Sequence, residues 1–301
     1  MQKTSKLTAS FYNERGESLA GIIDLPRGKP LAWATFAHCF TCSKEIVTTR
    51  RICKALAENG IAVLRFDFTG LGDSEGDFSE TSFTTNIADL QAAANYLAEN
   101  HQAPRLLIGH SLGGAAVMAA ARDIESVAAL VTINSPSDPS HLNHVFAPYV
   151  DEINQDGSAT VPIVGRDFLV KKQFIDDLQI HQLESKIRHI HKPILILHTP
   201  GDEIVHVDEA RKIFTAARHP KSFVSLDAAD HLLTAPSDAV YTANLISCWA
   251  SRYIQDKNPV PDTEARPVMA KGEVVVRETG GNYRNEVFVR DHQFIVDEPI
   301  A

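Results

Sequence analysis

The sequence predicts an α/β fold, a mostly parallel β-sheet with helices on both faces. Three observations carry that prediction. Short, continuous apolar runs alternate with segments of helical spacing along most of the chain. Strands that are apolar along their whole length are buried on both faces, as parallel strands are. The composition, 44% apolar and 22% charged over 301 residues, gives a globular chain enough core to fold without staples.

The elements follow in order. TASFYNERG and SLAGIIDLP read as an antiparallel hairpin added at the sheet edge. LAWATFAHCF (31–40) reads as a buried strand running into a loop. IVTTRRICKALAENG (46–60) reads as a helix, with Ile46, Ile52 and Leu56 near helical spacing and Gly60 as its stop. IAVLRFDF (61–68) is the next strand. SFTTNIADLQAAANYLAEN (82–100) is a helix whose Ser/Thr-rich start suits N-capping. RLLIGHS (105–111) is a strand and LGGAAVMAAAR a helix of small residues. VAALVTINSP (127–136) and KPILILHTPGD (192–202) are two more buried strands. EARKIFTAAR follows as a helix, and KSFVSLDAADH (221–231) as a last strand and loop. The helix AVYTANLISCWASRYIQ closes the unit near residue 256.

Two regions break this rhythm. Residues 137–191 separate two core strands by far more than a usual loop, as a lid over a site would. The pieces in RDFLVKKQFIDDLQIHQLESKIRHI suggest a small helical cap. KNPVPDTEARP, with three prolines, reads as a linker. Beyond it GEVVVRET, YRNEVFVRD and QFIVDEP read as a short antiparallel β-meander. The expected division is a domain over 1–257 with its cap at about 137–191, a linker over 258–267 and an incomplete β segment over 268–301.

Charge and composition exclude several classes. With 29 basic against 38 acidic residues the net charge is −9, and the basic stripe of a nucleic-acid binder is not expected. No apolar run reaches membrane-spanning length, and the N-terminus lacks the apolar stretch of a secretory signal. Four cysteines, Cys39, Cys42, Cys53 and Cys248, make no disulfide framework and suggest a reduced, cytoplasmic protein. Cys39-x-x-Cys42 reads as two structural cysteines, with a redox pair as the alternative. Seven of the 13 histidines fall between 141 and 206 without carboxylates or cysteines at ligand spacing, so no metal is predicted. No cofactor motif is present either; GLGDSEG lacks the Lys-Ser/Thr of a phosphate-binding loop.

The strongest chemical signal is IGHSLGG at 108–114. Gly109-His110-Ser111-Leu112-Gly113 fits G-x-S-x-G directly between a predicted strand and a predicted helix. Such a turn would raise the Ser111 hydroxyl at the sheet edge as a nucleophile. A serine needs a base to take its proton. Asp202 follows one later strand and His231 the next, in the order Ser, acid, His. Asp202 would orient the imidazole of His231, which would relay the Ser111 proton to the leaving group. Glu203 and Asp230 are rivals for the acid, Asp230 being badly placed beside His231. The expected oxyanion donors are the backbone N–H groups of Leu112 and of Phe40, with Cys39 as fallback.

On these motifs residues 1–256 resemble the α/β-hydrolase superfamily, near its serine aminopeptidase and monoglyceride-lipase-like branch. IGHSLGG resembles the nucleophile elbow, His38-Cys39-Phe40 the oxyanion turn, and RFDFTGLGDSEG (65–76) the Asp-x-x-Gly-x-Gly-x-Ser loop. Cys39 stands where such loops usually carry Gly. The resemblance implies a serine hydrolase acting on a small-molecule acyl substrate, an ester before a peptide. The tail, KGEVVVRETGGNYRNEVFVRDHQFIVDEP, is similar to the opening meander of OsmC/Ohr proteins, which reduce organic peroxides; Asp297-Glu298-Pro299 is part of the match. It implies a hydrolase–OsmC arrangement whose reactive cysteines are missing here, so peroxidase chemistry is not expected. The alternative function is a non-catalytic hydrolase scaffold serving such a partner. The open edges of the meander are expected to pair between copies of the chain.

Overall fold

In the computed structural model, residues 4–163, 165–254, 272–278, 285–289 and 292–296 are described. The chain opens with the predicted hairpin, β1 (Ser5–Tyr12) and β2 (Ser18–Leu25), paired antiparallel. There follow β3 (Ala32–Ala37), α1 (Val47–Glu58), β4 (Ile61–Phe66), α2 (Phe83–Asn100), β5 (Leu106–His110), α3 (Leu112–Ala120) and β6 (Ala129–Ile133). After an inserted region that holds β7, β8 and α4 to α7 come β9 (Ile194–His198), α8 (Asp208–Ala216), β10 (Lys221–Ser225) and α9 (Pro236–Ile254).

Among the described residues eight strands form the central sheet, in the order β1-β2-β4-β3-β5-β6-β9-β10. From β4 to β10 every neighbouring pair is parallel; β2 meets β4 antiparallel. Parallel neighbours require the crossovers that α1, α2, α3 and α8 supply. Side chains alternate between the two faces with period two. On β4, Ala62, Leu64 and Phe66 enter one apolar cluster, shared with α2 and α3, while Ile61 and Val63 enter the other, shared with α1 and α9. Each fully buried Leu, Ile or Phe contributes about 1.5–3 kcal/mol, so the α/β layering follows from the continuous apolar runs. The N-cap of α2 also follows its sequence. Ser82 Oγ accepts the Thr85 N–H at 3.3 Å and Thr85 Oγ1 accepts the Ser82 N–H at 2.9 Å.

The insertion corrects one expectation. It holds helices α4 (Asn143–Phe146), α5 (Val150–Asp156), α6 (Lys172–Ile180) and α7 (Leu183–Arg188), but also an antiparallel hairpin, β7 (Ser158–Ile163) with β8 (Arg166–Lys171). RDFLVK is thus a strand. Its apolar residues sit two apart: Phe168 and Val170 are buried opposite Ala159 and Val161, whereas a helix would turn one of them outward.

Toward the C-terminus, β11 (Val274–Glu278), β12 (Asn285–Val289) and β13 (His292–Val296) form an antiparallel sheet of three strands among the described residues. The expected linker at 258–267 and Asp297-Glu298-Pro299 lie outside the described residues. Among the described residues no helix is long and apolar enough to cross a membrane.

The sheet order reverses around β3, with β4 on one side and β5 on the other. Loops leaving the carboxyl ends of neighbouring strands diverge at such a point and leave a crevice, the usual place for a ligand in an open α/β sheet.

Candidate active site

Ser111 is the hinge between β5 and α3, with φ 55° and ψ −125°. A non-glycine residue in that conformation is strained by about 1–3 kcal/mol and persists only where its surroundings hold it. Those surroundings are small residues. A Cβ on Gly109 would lie 2.2 Å from the Gly113 carbonyl oxygen, and one on Gly113 would lie 2.3 Å from that of Ala37. The two glycines let α3 pack onto the end of β5 and onto the loop after β3. The Ser111 N–H donates to the Ile133 carbonyl at 2.9 Å, which ties the hinge to β6.

The loops after β9 and β10 bring the other two residues to it. His231 Nε2 is 3.1 Å from Ser111 Oγ, and His231 Nδ1 is 2.7 Å from Asp202 Oδ2. Asp202 Oδ1 accepts the N–H groups of Ile204 and Val205, both at 2.9 Å. Burial alone would push the Asp202 carboxyl up. The hydrogen bonds from His231, Val205 and Ile204 outweigh it and hold the group below the usual carboxylate range. Asp202 is therefore ionised and accepts a proton-bearing Nδ1, which leaves Nε2 free to accept from the serine hydroxyl. The rival Asp230 turns away: both of its oxygens accept from Thr234, from the N–H at 3.0 Å and from the hydroxyl. The other rival, Glu203, is exposed.

Two residues that the sequence reading passed over hold the histidine loop. The His231 carbonyl accepts from His110 Nε2 at 2.8 Å and from Asn134 Nδ2 at 2.9 Å. Asn134 also accepts the Thr199 N–H at 2.9 Å, on the turn that leads to Asp202. Its left-handed backbone, φ 46°, at the end of a buried strand is a signal the N-S-P step of VTINSP carries. Burial, then the neighbouring His231, lower the His110 pKa to about 3, so its ring stays neutral and can serve as a donor.

Phe40 and Leu112, the expected oxyanion donors, line one narrow cavity together with Phe68, Leu71 and Phe78. Leu112 is the first residue of α3, where N–H groups lack intrahelical acceptors. The Phe40 ring packs against Phe78, Phe146 and Phe174, the last two from the cap. Cys39, the fallback, is buried and joined to Cys42 by a disulfide. This overturns the expectation of reduced thiols at these two positions. The chain doubles back there, with the Cys42 N–H donating to the Cys39 carbonyl at 3.1 Å and the Cα atoms 5.3 Å apart, within bonding reach of the sulfurs. Cys53 is a buried free thiol and Cys248 an exposed one.

The loop RFDFTGLGDSEG braces this crevice. Asp67, fully buried, accepts the Lys44 ammonium at 2.6 Å, the Lys44 N–H at 2.5 Å and the Asp73 N–H at 2.9 Å. Gly72, at φ 56°, is required because a Cβ would sit 2.1 Å from Asp67 Oδ2. Ser74 Oγ donates to the Asp67 carbonyl and accepts the Ala20 N–H, which fastens the loop to β2. These residues are framework, and none of them reaches Ser111 by a hydrogen bond.

The fold is that of the α/β-hydrolases, and the chain belongs to that superfamily. Residues 41–155 match the serine aminopeptidase, S33, family. The esterase domain of a Rhodothermus marinus protein is 46% identical with a TM-score of 0.70, over 83% of this chain and 99% of that one. The mitochondrial palmitoyl-protein thioesterase ABHD10 of Mus musculus is 30% identical over 167 residues, 54% of either chain, so this chain spans about half of its length. The uncharacterized protein YfhR of Salmonella typhi is 27% identical over 229 residues, 74% of this chain and 73% of the relative.

Proposed function

We propose that the protein is a serine hydrolase that cleaves a carboxylic ester, or a related acyl compound such as a thioester, through an acyl-enzyme. The observation that carries this reading is the unbroken line Ser111 Oγ, His231 Nε2, His231 Nδ1, Asp202 Oδ2, with steps of 3.1 and 2.7 Å. His231 takes the Ser111 proton as the hydroxyl oxygen attacks the acyl carbon, and Asp202 stabilises the imidazolium that forms. The N–H groups of Leu112 and Phe40 receive the oxyanion. Collapse passes the proton to the leaving group, and a water activated by His231 then frees the acid. No metal or cofactor takes part in this scheme. The esterase and thioesterase relatives support an ester or thioester ahead of a peptide.

The catalytic unit in this proposal is 1–257. The meander of β11 to β13 belongs to a separate OsmC-like segment that offers its outer strands to a second copy of the chain. Its antiparallel pairing supports that division. The second reading, a hydrolase scaffold without catalysis, rests on the resemblance of the tail to OsmC proteins.

The deciding experiment is turnover of p-nitrophenyl butyrate, a palmitoyl thioester and an aminoacyl p-nitroanilide by the natural chain and by Ser111→Ala, with fluorophosphonate labelling alongside. The expected result is ester or thioester turnover and labelling of the natural chain, and loss of at least about 10³ in kcat with no labelling in the variant. Equal turnover by both chains would overturn the proposal. Absence of both turnover and labelling would favour the scaffold.

A further inference from the structure

We infer that Cys39 and Cys42 form a dithiol–disulfide site that sets the shape of the loop carrying the Phe40 oxyanion donor, so that hydrolysis responds to dithiol reductants. The turnover part rests on the function proposed above; the redox site itself does not.

The geometry points to it from three sides. The disulfide closes a ring of four residues, Cys39-Phe40-Thr41-Cys42, and Phe40 lies inside that ring. Thr41, also inside it, is left-handed at φ 57°, a conformation that a β-branched residue holds only under constraint. The near end of the loop has other anchors. His38 Nδ1 donates to the Cys39 carbonyl at 2.9 Å, and Gly113 packs onto the Ala37 and His38 carbonyls. The far end has the disulfide, the 3.1 Å bond from the Cys42 N–H, the Thr41 hydroxyl donating to the Phe40 carbonyl at 2.7 Å and a long contact of 3.5 Å from the cap residue Arg166 to the Thr41 carbonyl; beyond the ring, Lys44 is held by Asp67. Cleaving the S–S bond removes the covalent constraint on Thr41. The left-handed turn then relaxes, and the Phe40 N–H shifts relative to Leu112 across the cavity that both residues line.

The two sulfurs differ in access. Cys39 is buried, whereas Cys42 is half-exposed. A thiolate of an external dithiol attacks Cys42 Sγ, the S–S bond breaks, and Cys39 departs as a thiolate that takes up a proton. The second thiol of the reductant attacks its own sulfur in the mixed disulfide and releases Cys42. The dithiol is oxidised to a cyclic disulfide, and Cys39 and Cys42 are reduced to thiols.

The test uses the full chain with Cys248→Ser, which removes the exposed free thiol, before and after treatment with dithiothreitol. Thiol alkylation and mass spectrometry establish which state is present. Hydrogen exchange is followed on the peptide spanning 37–44, and kcat and KM are measured with p-nitrophenyl butyrate. Reduction is expected to speed exchange at Phe40 and Thr41 and to lower kcat at least about tenfold, part of the 10²–10³ that a whole oxyanion donor supplies. KM is expected to stay within about twofold, since ground-state binding is not the interaction removed. Reoxidation restores both readouts, and the double variant Cys39→Ser with Cys42→Ser behaves as the reduced protein whatever the treatment. Cys39 and Cys42 found unlinked after air oxidation would overturn the inference, as would unchanged exchange and turnover after complete reduction. Faster exchange on reduction, with no turnover or fluorophosphonate labelling in either state, would uphold the redox loop and overturn the hydrolase reading instead.

Discussion

Replacing Asn134 with Ala should damage stability and turnover together, although Asn134 does not touch the Ser111 hydroxyl. The side chain is fully buried and links the turn before Asp202 to the loop of His231. In Asn134→Ala the Thr199 N–H, also buried, loses its acceptor, at a cost of about 1–3 kcal/mol. The bond to the His231 carbonyl is worth about 1 kcal/mol, because His110 still donates to the same oxygen. Alanine at φ 46° adds about 1–2 kcal/mol of backbone strain that asparagine tolerates better. Together these amount to about 3–6 kcal/mol, read as a lower urea midpoint at unchanged m-value. Under the proposed mechanism, a His231 loop held by one donor instead of two should lower kcat about tenfold, because small displacements of a base are expensive. Asn134→Gly separates the contributions: it accepts the left-handed backbone and should recover about 1 kcal/mol over Ala while leaving kcat equally low. A loss below about 1 kcal/mol, with kcat within twofold of the natural chain, would refute the reasoning.

Two further outcomes follow from the same contacts. Gly113→Ala places a methyl group 2.3 and 2.5 Å from the backbone oxygens of Ala37 and His38, which cannot rotate away. We expect about 1–3 kcal/mol of destabilisation and, under the proposed mechanism, a kcat at least tenfold lower; a fully active, equally stable variant would show that α3 and the loop after β3 are not in contact. The second concerns pH. His110 stays neutral in the folded chain down to about 3, while in the unfolded chain it takes up a proton below about 6.5. The unfolded state therefore binds more protons in that window, and stability falls as pH drops from 6.5 toward 3 by about 1.4 kcal/mol per unit. Urea unfolding at pH 7.5 and 4.5 should differ by roughly 3 kcal/mol from this residue alone, and His110→Gln should remove about that much of the difference; an identical pH dependence in the two proteins would refute the assignment.

How far the sequence went is clearest at particular residues. Ser111 was legible because the glycines around it have one job, to let a strand turn abruptly into a helix, and they sit beside it in the chain. Asp202 and His231 were legible as places, one after each of two apolar runs, and their meeting at 2.7 Å came only with the fold. Asp230 reads from the sequence as badly placed beside His231, and its hydrogen bonds to Thr234 show where its oxygens go instead. The cap strand Arg166–Lys171 is not legible as a strand in the sequence, because six residues hold too few periods to separate alternation from a helical stripe.

The sequence by itself determined the layering, since an unbroken run of apolar residues such as ILIL has no stable place except between two helical layers. It also determined the elbow and the order of the three site residues, which depend on neighbours a few positions away. Only the tertiary structure decided what holds that site together. The Asn134 and His110 clamps on the His231 carbonyl span about a hundred residues of chain or more, and the brace from Asp67 to Lys44 joins two separate loops. The Cys39–Cys42 bond depends on a short stretch, yet spacing alone cannot say whether the chain folds back on itself. Such contacts follow from where the sheet order reverses and which strand ends it brings side by side, and that is a property of the whole packed chain.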